Sequence, residues 1–249
     1  MKTGIIFSCF NIEHTLNAQK LIQVLSKKEQ YYFCFVNDCS SDNTDQVLNS
    51  IKQKVPHRTF IINLEKKSGR SEALRAGVQY LEKLNYISYI GFFKNGLYFD
   101  FKGLKSMIKS LHFSENTSIV FGLEKKDIII KEKKSLLEYL KRGCPFDKEI
   151  DEFLRLKDST MVFSKSIAPI LFDKPFVSKH FFYLEILLRL KLLFGEKNLT
   201  KFILIKDLKL IQTQNKPYLS FYQNVNFPFL LFRFCINYTL LRKSYLLIR

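Results

Sequence analysis

The segment FVNDCSSDNT, residues 35–44, decides the fold. An apolar run ends at Val36, the small polar residues 37–42 follow, and apolar residues return at helical spacing from Val47. Asn, Asp and Ser favour turns, so the polar residues indicate a turn that joins a strand to a helix. A strand, a turn and a helix in this order form the repeating unit of a parallel sheet.

The same unit occurs on both sides of this segment. Apolar runs and helical spacings alternate along the first half of the chain, at residues 5–9, 14–28, 59–64, 71–84, 88–93, 104–111 and 119–122. Strands that alternate with helices predict an α/β fold, with a mostly parallel, twisted sheet and helices on both faces.

The second half has a less regular pattern. Residues 125–134 suggest a hairpin or flap, and 136–140 a short helix. An apolar helix covers 181–194 and ends at Gly195, a common helix stop, and one or two strands fall within 202–211.

We expect one domain over residues 1–217, followed by a basic, aromatic tail over 218–249 that is helical in part. The domain divides into halves at 1–122 and 123–217. The length of 249 residues is enough for such a domain to bury a sizeable core.

Charge and cysteine content limit the function classes. The net charge of +17 indicates a polyanionic neighbour or a lysine-rich composition bias. The sequence has no arginine-rich arm, zinc finger or RNA-binding aromatic signature, which argues against nucleic acid. The five cysteines form no C-x-x-C pair and indicate reduced thiols in the cytoplasm. No apolar stretch reaches the roughly 18 residues that span a bilayer.

Polar residues directly after the predicted strands mark the expected binding site. In parallel sheets, ligands bind at the carboxyl ends of the strands. The residues at these positions are Asn11, Asn37, Asp38, Lys94 and Asn95. Asn and Asp side chains there can hydrogen-bond a polar ligand.

Three motifs in the first 100 residues carry a family resemblance. FSCFNIE at 7–13 resembles the "IPCYNEE" opening of family-2 glycosyltransferases, and residues 35–44 resemble their "VVDDGSTDNT". Residues 63–77 resemble their "NxGxxxALRAG" segment. Each motif alone is weak evidence, but the three occur in the order and at the spacing of the family.

This resemblance implies a GT-A fold and a nucleotide-diphosphate sugar as the donor. It places nucleotide binding in the first half of the domain and the acceptor in the second. The positions that match donor-binding residues of the family are Phe10, Asn11, Glu13, Asn37, Asp38 and Arg75.

Two of these positions leave an alternative open. The segment around Asp38 can instead form an Asx turn that leads into the helix. Arg75 can instead be a solvated residue of its helix. Asn37 stands where the family has an acidic residue, which implies altered base binding rather than its loss.

The sequence departs from the family at the D-x-D motif, which holds Mg²⁺ or Mn²⁺ against the donor diphosphate. Lys94 and Gly96 stand in the places of the two aspartates. Divalent cations need anionic oxygen ligands, so the sequence predicts no metal ligands here. Either Lys94 supplies the positive charge that the metal brings, or the site has decayed and Lys94 is a solvated loop residue.

The second half carries weaker resemblances. Residues 156–164 resemble an acceptor-side strand, and 182–189 resemble the "FDxELLxR" segment of polyprenyl-phosphate sugar transferases. Asp158 or Glu185 is then the candidate base that deprotonates an acceptor hydroxyl. The alternative for Glu185 is an i,i+4 ion pair with Arg189 on the helix surface.

We therefore expect a hexosyltransferase that moves a sugar to a cell-envelope polysaccharide or a lipid-linked acceptor, with an altered or metal-independent site. The alternatives are an inactive glycosyltransferase that serves as a scaffold or regulatory subunit, and a membrane-surface module. The basic, aromatic tail predicts a peripheral position on the anionic inner face of the membrane. Its aromatic residues can instead pack on the sheet or in a homo- or hetero-oligomer interface.

Overall fold

The computed structural model describes residues 1–93, 101–124, 147–156, 159–179, 181–195, 202–208, 230–231 and 233–239. Its seven-stranded sheet has the order β3-β2-β1-β4-β6-β5-β7. The strands are β1 (Thr3–Cys9), β2 (Tyr31–Asn37), β3 (Thr59–Asn63), β4 (Tyr89–Phe92), β5 (Ile119–Glu124), β6 (Thr160–Ser164) and β7 (Ile203–Leu208). β6 is antiparallel to both of its neighbours, and the other described pairings are parallel. The predicted α/β class with a mostly parallel sheet is confirmed.

Seven helices with defined bounds connect or cover the strands. They are α1 (Ala18–Lys27), α2 (Thr44–Lys54), α3 (Arg70–Glu82), α4 (Phe101–Phe113), α5 (Asp147–Leu156), α6 (Ala168–Phe172) and α7 (Phe182–Phe194). α1 begins later than the expected residue 14, because the Asn17 side chain caps it by accepting from the Lys20 amide at 2.9 Å. The four residues before the cap join the loop that follows β1.

Alternate residues of the central strands face two separate cores. On one side, Phe7 and Phe35 stack at 4.9 Å and pack against α1, α2 and α4. On the other side, Ile6 and Val36 pack against α3, α6 and α7. This period of two explains why consecutive residues of β1 and β2 are apolar at 5–7 and 31–36: both faces of the sheet are covered.

Glycine at position 77 brings α3 close to the sheet. A Cβ atom there would lie 2.6 Å from the Ile6 side chain and 3.1 Å from that of Val36. No side chain fits this gap without a shift in the neighbours. The close packing fixes the direction of α3 and therefore the place where the helix begins, at the carboxyl ends of the strands.

The described part of the tail belongs to the core of the domain. Residues 230, 231 and 233–239 are helical and are called the C-terminal helix below. Leu231, Phe234 and Tyr238 are buried on the α7 side of the sheet, and the ring of Phe234 lies 5.1 Å from that of Phe181. This corresponds to the alternative in which tail residues pack on the sheet domain.

The remaining expectations for the second half have different outcomes. The predicted flap at 125–134 and the short helix at 136–140 lie outside the described residues. Within the described ranges, no helix has the length and hydropathy needed to cross a membrane.

Candidate functional site

The loops that follow the parallel strands gather at one edge of the sheet. Cys9 pairs with Asn37, and Asn37 pairs with Asn63, so β1, β2 and β3 end at the same level. The strand order reverses between β1 and β4, because the chain moves from β1 to β2 and β3 and then returns to the other side of β1. Such a reversal opens a crevice at the carboxyl ends of the strands.

The loops after β1 and β2 are joined by hydrogen bonds between side chains and backbone. The side-chain Oδ1 of Asn11 accepts from the backbone amide of Ser41 at 2.9 Å, and the backbone amide of Asn11 donates to Ser40 Oγ at 3.0 Å. The Ile12 amide donates to Thr44 Oγ1 at 2.9 Å. Asn11 has a φ of 50°, a left-handed conformation that asparagine tolerates better than most residues. These contacts make the two loops one surface.

Glu13 extends this junction to the start of α2. Its Oε1 accepts from Asn43 Nδ2 at 2.8 Å and its Oε2 from the Asn43 amide at 3.2 Å. The hydrogen bonds from the Asn43 side chain and backbone lower the pKa of Glu13 from its ordinary value. The Glu13 amide donates in turn to Asp42 Oδ2 at 3.1 Å. In the structure, Glu13 therefore binds the neighbouring loop.

Asn37 and Cys39 shape the turn after β2. Asn37 Oδ1 accepts from the Ser40 amide at 3.1 Å. The Asx turn that the sequence left open forms at Asp42, whose Oδ1 accepts from the Thr44 amide at 3.0 Å. Cys39 has a φ of 57°, and its thiol is exposed. The turn places Cys39 on the outer surface of the joined loops.

Asp38 is buried beneath the loop between β3 and α3. Only 3% of the residue is exposed, and its two carboxylate oxygens accept from the Ser68 amide at 2.6 Å and the Gly69 amide at 2.8 Å. These bonds hold the loop against the end of β2. The expected contact from Asp38 to a base or ribose stays a prediction, whereas its role in positioning the loop is observed.

Arg70, the first residue of α3, belongs to the site although its sequence context did not single it out. It is exposed, and its Nη2 donates to the carbonyl oxygen of Phe93 at 3.1 Å. Phe93 directly precedes Lys94, the first position of the altered D-x-D motif. A basic residue directly after Gly69 was the available signal, but sequence alone could not show its contact with the end of β4.

Phe10 and Lys67 form the outer rim of the site. The Phe10 residue is 37% exposed, and Lys67 Nζ lies 3.7 Å from the centroid of its ring. This is a cation–π distance, and the pair joins the loop after β1 to the loop after β3. An exposed aromatic ring at this rim is suited to stacking on a flat base.

Arg75 does not fit either expectation from the sequence. It is half-buried, its Nε donates to Glu72 Oε2 at 2.6 Å, and its Nη1 donates to the Asp173 carbonyl oxygen at 3.2 Å. One contact lies within α3 and the other reaches the chain after α6. The guanidinium is therefore neither free in solvent nor directed at the carboxyl ends of the strands. In this arrangement Arg75 links the two halves of the chain.

The Glu185–Arg189 ion pair is confirmed, but the expectation of a surface position is wrong. Glu185 is completely buried, its Oε1 accepts from Arg189 Nη2 at 2.7 Å, and its Oε2 accepts from the Val177 amide at 2.8 Å. Burial raises the pKa of Glu185, and the Arg189 charge offsets part of this rise. A carboxylate that is enclosed and occupied in this way has a positioning role, because an acceptor hydroxyl has no access to it.

The other expected site residues lie outside the described residues: Lys94, Asn95 and Asp158. The structure describes the chain up to Phe93, the residue before the altered D-x-D motif. The guanidinium of Arg70 already occupies the Phe93 carbonyl, and the sequence offers Lys94 and Gly96 in place of two aspartates. Among the described residues no group of three His, Cys, Asp or Glu is placed to hold a metal ion. The lack of carboxylate ligands at positions 94 and 96 stays a prediction from the sequence, because both positions lie outside the described residues.

Comparison with known proteins adds a family. The family model described as "Glycosyl transferase family 2" matches residues 5–173. One curated relative, an uncharacterized protein of Methanocaldococcus jannaschii, is 27% identical over 90 residues, which are 36% of this chain and 39% of that protein. The chain thus aligns with well under two thirds of this relative.

Solved structures of glucosyl-3-phosphoglycerate synthase from Mycobacterium tuberculosis have a similar fold. The complex with Mg²⁺ and uridine diphosphate has a TM-score of 0.64 at 12% identity, over 94% of this chain and 79% of that chain. The complex with Mn²⁺, UDP-glucose and glycerol 3-phosphate has a TM-score of 0.58 at 14% identity, over 87% and 73% of the two chains. At this low identity the likeness establishes the fold alone, which is the GT-A fold.

Proposed function

The chain belongs to glycosyl transferase family 2, and on this premise we propose that it transfers a hexose from a nucleotide-diphosphate sugar to an acceptor. The observation that carries the proposal is the joined surface of the loops after β1 and β2. In these two loops, residues 11–13 and 37–43, side-chain oxygens accept hydrogen bonds from backbone amides and hold the loops in place. A prearranged surface of this kind at a strand-order reversal suits a nucleotide.

In this proposal the donor lies across the reversal between β1 and β4. The base and ribose contact Phe10, Asn11 and Asn37 at the joined loops, and the diphosphate extends toward the end of β4. Lys94 faces the diphosphate and stabilises the charge that develops on the leaving group. Because the sequence has Lys94 and Gly96 in place of two carboxylates, we expect the chemistry to proceed without a divalent cation.

The proposed acceptor is a cell-envelope polysaccharide or a lipid-linked molecule at the inner face of the membrane. The net charge of +17 supports a position near an anionic surface. If the acceptor reacts through a hydroxyl, Asp158 is the candidate base, since Glu185 is enclosed. If it reacts through a phosphate, its oxygen is already anionic and needs no base.

Isothermal titration with nucleoside diphosphates, with Mg²⁺ and then with EDTA, tests the proposal. We expect binding under both conditions, and we expect Lys94→Ala to weaken binding of the diphosphate while binding of the nucleoside stays the same. Binding that requires Mg²⁺ would contradict the metal-independent site. Absence of binding under both conditions would contradict transfer and favour a scaffold or regulatory protein without a nucleotide site.

A further inference from the structure

Two exposed cations lie on either side of Gly69, where α3 begins. Arg70 follows Gly69 directly and donates to the Phe93 carbonyl. Lys179 comes from the second half of the chain, and its Cγ and Cδ lie 3.5 and 3.4 Å from the position that a Cβ would take at Gly69. Gly69 has a φ of 88°, a conformation that favours glycine. The two charges are thus brought to the same turn from distant parts of the chain.

The loop 173–179, which ends at Lys179, is fixed by α3. Ser71 Oγ donates to the Lys179 carbonyl oxygen at 3.1 Å. Glu72 Oε1 accepts from the Phe176 amide at 2.8 Å. These bonds determine where the backbone of Lys179 lies relative to the start of α3.

The same loop is fixed by α7 from the other side. Arg189 donates to the carbonyl oxygens of Lys174 at 3.0 Å and Pro175 at 2.8 Å, and its guanidinium lies 4.4 Å from the centroid of the Phe176 ring. Glu185 accepts from the Val177 amide at 2.8 Å. With its backbone held on both sides, Lys179 loses less conformational freedom when it binds a ligand.

The charges of this pair are available to a ligand. Among the described residues, no carboxylate forms an ion pair with Arg70 or Lys179. The nearby Asp38 is turned inward to two backbone amides, and Glu72 and Glu185 are each paired with an arginine of their own helix. The start of α3 therefore presents two positive charges that no side chain of the described residues neutralises.

We propose that Arg70 and Lys179 together bind the donor diphosphate, in the position that the family gives to its divalent cation. The proposal rests on the proposed function and adds two groups to Lys94 that supply the positive charge of a metal ion. The guanidinium of Arg70 matches the geometry of a phosphate, and the ammonium of Lys179 supplies a second charge. Each phosphate of the donor carries a negative charge, so two fixed cations can balance the pair without a metal.

Titration of UDP, GDP, ADP, CDP and dTDP, and of their nucleosides, in buffer with EDTA tests the proposal. The variants are Arg70→Ala, Lys179→Ala and the double substitution. Lys52→Ala is the matched control, because Lys52 is exposed in the last turn of α2, at the opposite end of the sheet. Each single variant should weaken binding of the preferred diphosphate about tenfold to hundredfold, as expected when a charged hydrogen bond is lost. Nucleoside affinity and the control should not change.

Five results would overturn the inference. Unchanged diphosphate affinity in the double variant would exclude both residues, and a loss with Arg70→Ala alone would exclude Lys179. Equal losses for nucleoside and diphosphate would mean that the variants distort the site. A wild-type protein that binds a diphosphate only with Mg²⁺ would contradict the inference while nucleotide-dependent transfer remained supported. If the wild type binds no nucleoside diphosphate at all, the proposed function fails together with the inference.

Discussion

Replacing Asp38 with alanine should destabilise the protein substantially, because the carboxylate holds the loop before α3. The change removes two charge-assisted hydrogen bonds, to the amides of Ser68 and Gly69 at 2.6 and 2.8 Å. A hydrogen bond to a charged group contributes about 1.5–3 kcal/mol. Both bonds end on one carboxylate, and the loop is half-buried, so water can reach the freed amides in part. We expect a net loss of about 3 kcal/mol.

Thermal unfolding followed by circular dichroism measures this loss. In a domain of this size, 1 kcal/mol corresponds to about 2–4 °C, so the melting temperature should fall by roughly 6–12 °C. Hydrogen exchange at the amides of Ser68 and Gly69 should accelerate. The control is Asp45→Ala on α2, a half-buried carboxylate that accepts from the side chains of Asn49 and Asn63, where we expect a loss of at most about 1 kcal/mol.

One result would refute the reasoning on Asp38. If Asp38→Ala melts within about 2 °C of the wild type and loses nucleotide affinity more than tenfold, the carboxylate acts on the ligand and its loop contacts contribute little. If stability and affinity fall together, titration at low temperature, where the variant is still folded, separates the two effects.

Three further predictions concern ionisation and exposure. Burial raises the pKa of Glu185, so its contribution to stability is fully present below the ordinary glutamate pKa and is lost as the pH rises through the raised value; Glu185→Gln, which resembles the protonated carboxyl, should flatten the pH dependence of the unfolding free energy in urea, and a pH profile identical to that of the wild type would contradict this linkage. Hydrogen bonds from Asn43 lower the pKa of Glu13, so the contribution of Glu13 to stability is present above the ordinary glutamate pKa of 4.5 and is lost as the pH falls through the lowered value. Below pH 4.5, the melting temperature of Glu13→Gln should therefore fall less with acid than that of the wild type. Identical profiles of melting temperature against pH would contradict this linkage. Cys39 is the exposed thiol among the described cysteines, and replacing Cys144 with serine removes the cysteine outside the described residues. In this Cys144→Ser background, a bound nucleoside diphosphate should slow the alkylation of Cys39 by N-ethylmaleimide. An unchanged alkylation rate would place the nucleotide elsewhere.

The sequence was sufficient to predict the first half of the fold. Each strand from β1 to β4 is an apolar run, and each following helix has its own apolar spacing. The strands β1, β2 and β3 pair in chain order, whereas β4 pairs with β1. The start of α1 was missed because the Asn17 cap outweighs the apolar pattern that begins earlier. The position of β6 between β4 and β5 was also missed, since an apolar strand carries no sign of its partner or direction.

The candidate site was predicted in its location and less well in its contacts. The polar residues after β1 and β2 do lie together, because parallel strands end at a common edge. The contacts that decide roles join distant segments, as Arg70 joins Phe93 and as Glu185 joins Val177. Motif spacing carries no information about such pairs, because they depend on how α3 and α7 dock on the sheet.

The C-terminal helix has a consequence for the synthesis of the protein. Phe181, at the start of α7, packs against Phe234, so the side of α7 that faces the C-terminal helix stays open until that phenylalanine has left the ribosome. At about 5–20 residues per second, the interval between the two is roughly 3–10 s. Throughout this time the nascent chain exposes a long apolar helix beside an almost complete sheet. A chaperone that binds apolar segments should therefore associate with ribosomes stalled before residue 230 and be released once the helix is complete.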